Sequence, residues 1–194
     1  MTPNSKKRSA VVKRKTNETD ILVDINLDGS GKSEISTRIA FFNHILELFT
    51  RHSGIDLKLN AEGDLVHHLI EDIGISLGNA IYKALGNKKG ITRFGDKTTP
   101  MDEALATCAV DLSGRSYHNI DLKIKGIIED MDAENLSHFF ESLAINAKIN
   151  LHIFVHYGSN EHHKAEAAIK SLAYAFKEAI EQKGEQIPST KGIL

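Results

Sequence analysis

The sequence predicts an α+β fold made of two tandem, similar halves, each ordered β-β-α-β-α. Three observations predict it. Apolar residues alternate in short runs and recur at helical spacing in longer ones, in the same order twice. A lone histidine followed by a His-His-x-x-Glu group occurs once in each half. No long linker divides the halves, so they are expected to pack as one unit.

The elements follow in order. Thr19 to Asp28 reads as a strand because Ile21, Val23, Ile25 and Leu27 alternate with mostly polar neighbours. Asp28-Gly29-Ser30-Gly31 is a turn, and Lys32 to Thr37 returns as a strand. Ile39 to Arg51 is a helix with Phe42, Ile45, Leu46 and Phe49 on one face, stopped by Gly54. Ile55, Leu57 and Leu59 alternate as a strand, and a second helix runs from His67 to Leu85. The second half repeats this order: strand Ala104 to Leu112, turn Ser113-Gly114-Arg115, strand Tyr117 to Ile124, helix Asp132 to Ala147, strand Ile149 to Tyr157, helix His162 to Gln182. The halves are therefore placed at residues 11–90 and 91–185, with a non-helical tail at 186–194 and a basic N-terminal arm at 1–10. The basic run extends to Lys15 and is read as a solvated arm.

Composition excludes several classes. Of 194 residues, 26% are charged and 41% hydrophobic, and the net charge is -2. A generic nucleic-acid binder would be basic, so no nucleic-acid partner is expected. No apolar run approaches membrane-spanning length and no signal-peptide core is visible, so a cytoplasmic enzyme without membrane contact is expected. The single cysteine, Cys108, lies in an apolar run and reads as a buried, inert thiol.

The histidines carry the chemistry. His44 precedes His67-His68-Leu69-Ile70-Glu71 by 23 residues, and His138 precedes His162-His163-Lys164-Ala165-Glu166 by 24. Imidazole and carboxylate suit divalent transition metals, and positions i and i+4 share a helix face. His67 can thus chelate with Glu71, and His162 with Glu166. Neighbouring residues diverge by about 100° on a helix. His68 and His163 are therefore expected to face a second ion or an interface. His44 and His138 could complete the shells, giving two metals assembled from both halves. The residue types admit zinc, iron or nickel as readily as manganese. His-His-x-x-Glu is not the His-Glu-x-x-His of zinc proteases. Leu48, on the helix of His44, is assigned no role, and His152 is placed only in a strand.

Anion-binding candidates are Arg93 and Arg115 in glycine-containing turns, Lys170 two helical turns beyond the second His pair, and Ser189, Thr190 and Lys191 in the tail. Sequence alone does not gather them into one site.

Taken together, these residues resemble the imidazoleglycerol-phosphate dehydratase family over nearly the whole chain. The resemblance is carried by Thr16-Asn17-Glu18-Thr19, Phe42-Asn43-His44, His67 to Asp72, Arg93-Phe94-Gly95, Pro100-Met101-Asp102-Glu103-Ala104, Asp111 to Arg115, His138-Phe139-Phe140, His162 to Glu166 and Pro188 to Gly192. It implies the ribosomal protein S5 domain 2-like duplication, each sheet covered by helices on one face. It implies two Mn²⁺ per active site and a homo-oligomer of 24 subunits built from trimers, with sites at subunit interfaces. The metal ligands would be His44, His67, His68, Glu71, His138, His162, His163 and Glu166. The substrate would meet Glu18, His44, Arg93, Arg115, Lys170, Ser189, Thr190 and Lys191, with Glu18, Glu71 and Glu166 as the carboxylates of catalysis. Glu18 is the candidate for proton transfer. The stretch between Asp64 and His67 is shorter than the acidic loop usual in the family.

The implied reaction removes water from D-erythro-imidazoleglycerol phosphate to give imidazole acetol phosphate, in L-histidine biosynthesis. Two other readings stand beside it: another metal-dependent lyase or hydrolase acting on a small phosphorylated substrate, and a metal-assembled structural or storage oligomer.

Overall fold

A computed structural model describes residues 7–192. The ends of the predicted arm and tail, residues 1–6 and 193–194, lie outside that range. The first half contains strands β1 (Ser9–Lys15), β2 (Thr19–Asn26) and β3 (Ser33–Ser36), helix α1 (Ala40–Ser53), strand β4 (Asp56–Gly63) and helix α2 (Val66–Leu85). The second contains β5 (Phe94–Met101), β6 (Ala104–Asp111), β7 (Tyr117–Asp121), a hairpin of β8 (Ile127–Ile128) and β9 (Met131–Asp132), helix α3 (Ala133–Ala147), β10 (Asn150–Tyr157) and helix α4 (Glu161–Ile180).

The duplication extends to topology. One sheet has the order β1-β2-β4-β3 and the other β5-β6-β10-β7. In each, the first three strands pair antiparallel and the last pair is parallel. Parallel neighbours need a crossover connection. α1 supplies it between β3 and β4, and α3 between β7 and β10.

Each four-stranded sheet therefore has one strand more than the predicted β-β-α-β-α supplies. The basic arm is the first correction. Its residues from Ser9 on form β1, registered from Ser9 opposite Asn26 to Lys15 opposite Asp20. Only Val12 of this strand is buried, while its lysines face solvent, and charge on an edge strand deters pairing with other chains. β5 was missed for a related reason. It is an edge strand with no clean alternation, and an edge tolerates Pro100, which cannot donate to a ladder. The β8–β9 hairpin is the third addition, and β7 stops at Asp121 rather than Ile124.

Helices cover one face of each sheet. α2 lies on β1, β2 and β4, and α4 on β5, β6 and β10. The helices also pack across the halves, α2 with α3 and α1 with α4. Phe42 of α1 meets Phe139 of α3 edge-on at 5.1 Å, and Phe49 of α1 meets Phe176 of α4 at 5.7 Å. All four rings are buried. The α2–α3 approach depends on Gly78, where a Cβ would stand 2.8 Å from the Leu143 carbonyl oxygen and 2.9 Å from the Ala147 nitrogen. Cys108 is fully buried and its thiol is pushed up by desolvation, as an inert core residue would be.

Candidate active site

The cross-half helix packing brings the histidines together. α1 of the first half carries His44 and α4 of the second carries His162 and Glu166. One ligand atom from each of these three residues lies within 4.8 Å of the others. Nε2 of His44 is 3.0 Å from Glu166 Oε1, and Nε2 of His162 is 3.1 Å from the same oxygen. The i, i+4 pairing expected on α4 is thus realised, with the lone histidine arriving from the other half.

The pseudo-equivalent trio is His138 on α3 with His67 and Glu71 on α2. The rings of His67 and His138 stand edge to face at 4.9 Å. Glu71 is exposed, and among the described residues only the first trio gathers three ligand atoms so closely.

All four paired histidines have Nδ1 anchored. His67 donates to Asn135 Oδ1 at 3.1 Å and His68 to Asp64 Oδ1 at 2.9 Å. His162 donates to Glu129 Oε1 at 3.2 Å and His163 to Glu103 Oε2 at 2.7 Å. An acceptor on Nδ1 fixes the tautomer that leaves Nε2 free as a ligand atom, the usual support of metal-bound histidine. At His162 this has a consequence. A neutral ring donating from Nδ1 turns an Nε2 lone pair toward Glu166 Oε1, and two lone pairs that close require a proton or a cation between them. The donor set of imidazoles and a carboxylate fits a divalent transition metal there.

Electrostatics agree with that geometry. Burial opposes ionisation of Glu166, but hydrogen bonds from Lys170 and His44, with the Lys170 charge, outweigh it and hold the carboxyl at about 2. Glu166 is therefore an anion at neutral pH. The His163 hydrogen bond, helped by the Asn160 backbone N–H, holds Glu103 at about 2 as well. His68 is raised by its bond to Asp64, and His163 by its bond to Glu103.

Glu18 lies in the β1–β2 turn, with Oε2 3.9 Å from His68 Nδ1. A polar chain sets that turn. Thr16 Oγ1 accepts the backbone N–H groups of Glu18 and Thr19. The Thr19 hydroxyl donates to buried Asp72, which also pairs with Arg14 at 2.8 Å. Asp72 follows Glu71 on α2, so the turn is tied to the helix bearing the first His pair.

The anion candidates are gathered only in part. The Arg93 guanidinium binds Asp111 through Nε at 2.7 Å and the Pro188 carbonyl through Nη1 at 2.9 Å. The Gly90 N–H donates to the Gln186 carbonyl at 2.8 Å. Together these dock the tail, with Ser189, Thr190 and Lys191, beside Arg93. Arg115 is exposed on its turn. Lys170 goes elsewhere: its ammonium meets Glu166 Oε2 and, at 3.1 Å, Met101 Sδ. His152 packs between Tyr117 and Phe154, with ring centroids at 5.5 and 6.4 Å.

Several groups at the site were not singled out in the sequence. Glu103 immediately precedes β6 as Glu18 immediately precedes β2, so the duplication itself could have matched them. Asp64 precedes His68 by one helical turn, and it supplies acidic support despite the shorter loop. Asn135 stands three residues before His138. Glu129 and Asp130 gave no local signal, because their contacts span the fold.

Comparison with known proteins agrees over most of the chain. The family model described as imidazoleglycerol-phosphate dehydratase matches residues 37–176. The imidazoleglycerol-phosphate dehydratase of Chlorobium phaeovibrioides is 51% identical over 191 residues, covering 96% of each chain. That of Methanosarcina mazei is 50% identical over 193 residues, covering 96% of this chain and all of the relative. Among solved structures, the Pyrococcus furiosus protein in complex with (S)-C348 superposes with a TM-score of 0.83 at 40% identity, covering 94% of this chain and all of that one. The Staphylococcus aureus enzyme gives 0.80 at 35%, covering 90% of this chain and all of that one.

Proposed function

We propose a mechanism from one premise: this chain belongs to the imidazoleglycerol-phosphate dehydratase family and is a hydro-lyase of histidine biosynthesis. It acts with two divalent cations, manganese in our reading. The convergence of His44, His162 and Glu166 is the observation that carries this. His44, His162 and Glu166 would hold one ion, and His138, His67 and Glu71 the other. His68 and His163, each anchored through Nδ1, would reach the ions of neighbouring copies or complete these shells. Bound dications would supply Lewis acidity to the substrate's imidazole ring and ease departure of the hydroxyl on the carbon attached to it.

The chain's own residues do the rest. Glu18 moves a proton: the neighbouring carbon gives up its hydrogen, the hydroxyl leaves with a proton as water, and the resulting enol becomes the ketone. Thr16, Thr19 and Asp72 hold the Glu18 turn against α2. Arg93, Arg115, Ser189, Thr190 and Lys191 bind the phosphate and fix the substrate's register, while Lys170 is held by Glu166 instead. Assembly into 24 copies from trimers is part of the proposal. Exposed Leu65 and Val66, next to His67, would give a second copy an apolar rim at the ligands. A cytoplasmic location goes with this biosynthetic role.

Glu18→Gln separates binding from chemistry. Manganese content is expected to stay at the wild-type value while kcat falls by about 10²–10⁴-fold. Normal turnover by this variant would remove Glu18 from the mechanism. Full activity of the metal-stripped protein would remove the cations.

A further inference from the structure

We infer that the tip of the β8–β9 hairpin, Glu129–Asp130, positions one of the two metal sites, that of His44, His162 and Glu166, and leaves the His138–His67–Glu71 site alone. The inference rests on the two-metal reading above.

α1 has no cap of its own. Its N-cap is Ile39, no side chain there accepts a hydrogen bond, and no acidic residue stands in its first turn. Asp130 supplies what is missing. Its carboxylate accepts the Ala40 N–H at 2.6 Å and the Phe41 N–H at 3.0 Å. An anion on the first amides of a helix makes charge-assisted bonds where the helix end is positive. His44 lies one turn further on, so the point where α1 starts decides where its ring arrives.

The preceding residue acts on the other helix. Glu129 accepts the Nδ1–H of His162. It holds a left-handed backbone, φ 53, that side chains adopt only at a cost. One two-residue tip thus braces both helices that meet at this trio, α1 from the first half and α4 from the second. The tip also walls an open depression beside the trio, lined by Ala40, Phe41, His44 and His162. The Phe41 ring rests 4.9 Å from that of His162.

The first half has no counterpart. Its chain passes from β3 to α1 through residues 37–39, whereas β7 reaches α3 through residues 122–132, which contain the hairpin. The other trio is braced from within: His67 donates to Asn135, which sits on α3 itself. The two braces share no residue, so they can be broken separately.

The test is a Mn²⁺ titration of the full-length, metal-stripped chain at fixed pH, counting free Mn²⁺ by electron paramagnetic resonance. Wild type is expected to bind two equivalents. Glu129→Ala and Asp130→Ala are each expected to keep one equivalent at wild-type affinity and weaken the other by about 10-fold or more. Asn135→Ala should weaken one equivalent too, and Glu129→Ala combined with it should weaken both. Glu129 is exposed, so its variant tests the idea even if Asp130→Ala folds poorly. Asp130→Asn, which keeps an acceptor, should recover part of the affinity. A purely structural role would lower the melting temperature and leave the two affinities in their wild-type ratio, overturning the inference. So would Glu129→Ala and Asn135→Ala weakening the same equivalent. Wild type that binds no Mn²⁺ would sink the two-metal reading itself, before any variant is made.

Discussion

The two histidine trios occupy equivalent positions in the duplication and have become physically different. The His44–His162–Glu166 trio closes on a buried carboxylate held ionised by Lys170 and His44. The His138–His67–Glu71 trio brings its rings together but leaves its carboxylate exposed. The cause lies in the neighbours. Lys170, one turn beyond Glu166, anchors that carboxylate. The corresponding turn beyond Glu71 carries Ile75. Duplication copied the histidines and glutamates with their spacing, while the groups that hold them diverged. The helix interfaces differ likewise. α2 and α3 meet through glycine backbone at Gly78, and α1 and α4 through the Phe49–Phe176 pair. Each trio draws residues from both halves, so neither half assembles one by itself.

Removing the carboxylates probes the difference most strongly. Glu166→Gln is expected to lose one bound Mn²⁺ and to cut turnover at least 10²-fold, by order of magnitude, because a buried ligand and the partner of Lys170 vanish together. Glu71→Gln should lose the other ion and leave the Lys170 environment unchanged. Metal analysis after gel filtration reads both.

Acid should unfold the metal-free protein partly through Glu166. Its folded carboxyl lies at about 2, below the unfolded value, so its contribution is present above about pH 4.5. That contribution is lost as pH falls through the folded value. Linkage puts it at about 3 kcal/mol as an upper bound. Denaturant melts between pH 6 and 3 should show a steeper loss for wild type than for Glu166→Gln, and parallel slopes would contradict this.

The helix interfaces give a smaller effect. Gly78→Ala gains helix propensity but pushes a methyl onto the backbone of α3, and the clash is expected to win by about 1–3 kcal/mol of stability. A raised melting temperature would show that α2 and α3 can separate freely. The smallest effect concerns the Glu18 turn. Asp72→Asn keeps an acceptor for Thr19 but loses the charge facing Arg14. Turnover is expected to fall about 10-fold with Mn²⁺ content unchanged.

The duplication, the four helices and six of the larger strands were legible because their apolar residues repeat at helix or strand period. The edge strands β1 and β5 were hidden. Each presents mostly charged and polar side chains to solvent, so alternation fades where burial is one-sided and partial. The candidate histidines and glutamates were legible from the repeated spacing, and the pairing of His162 with Glu166 followed from helix geometry. Which lone histidine joins which pair was not legible, because it depends on how α1 packs on α4 and α3 on α2. The Nδ1 acceptors show the same limit. Asp64 is one helical turn from its histidine in sequence, whereas Asn135, Glu129 and Glu103 reach theirs only through tertiary structure.

The central claim is that each ion is held across the halves, and counting Mn²⁺ in paired variants tests it most directly. His44→Ala/His162→Ala should remove ligands of a single ion and retain one equivalent per chain. His44→Ala/His67→Ala should disable both sites and retain none. The reverse pattern, with one equivalent left in the second pair and none in the first, would group the ligands within each half and contradict the account.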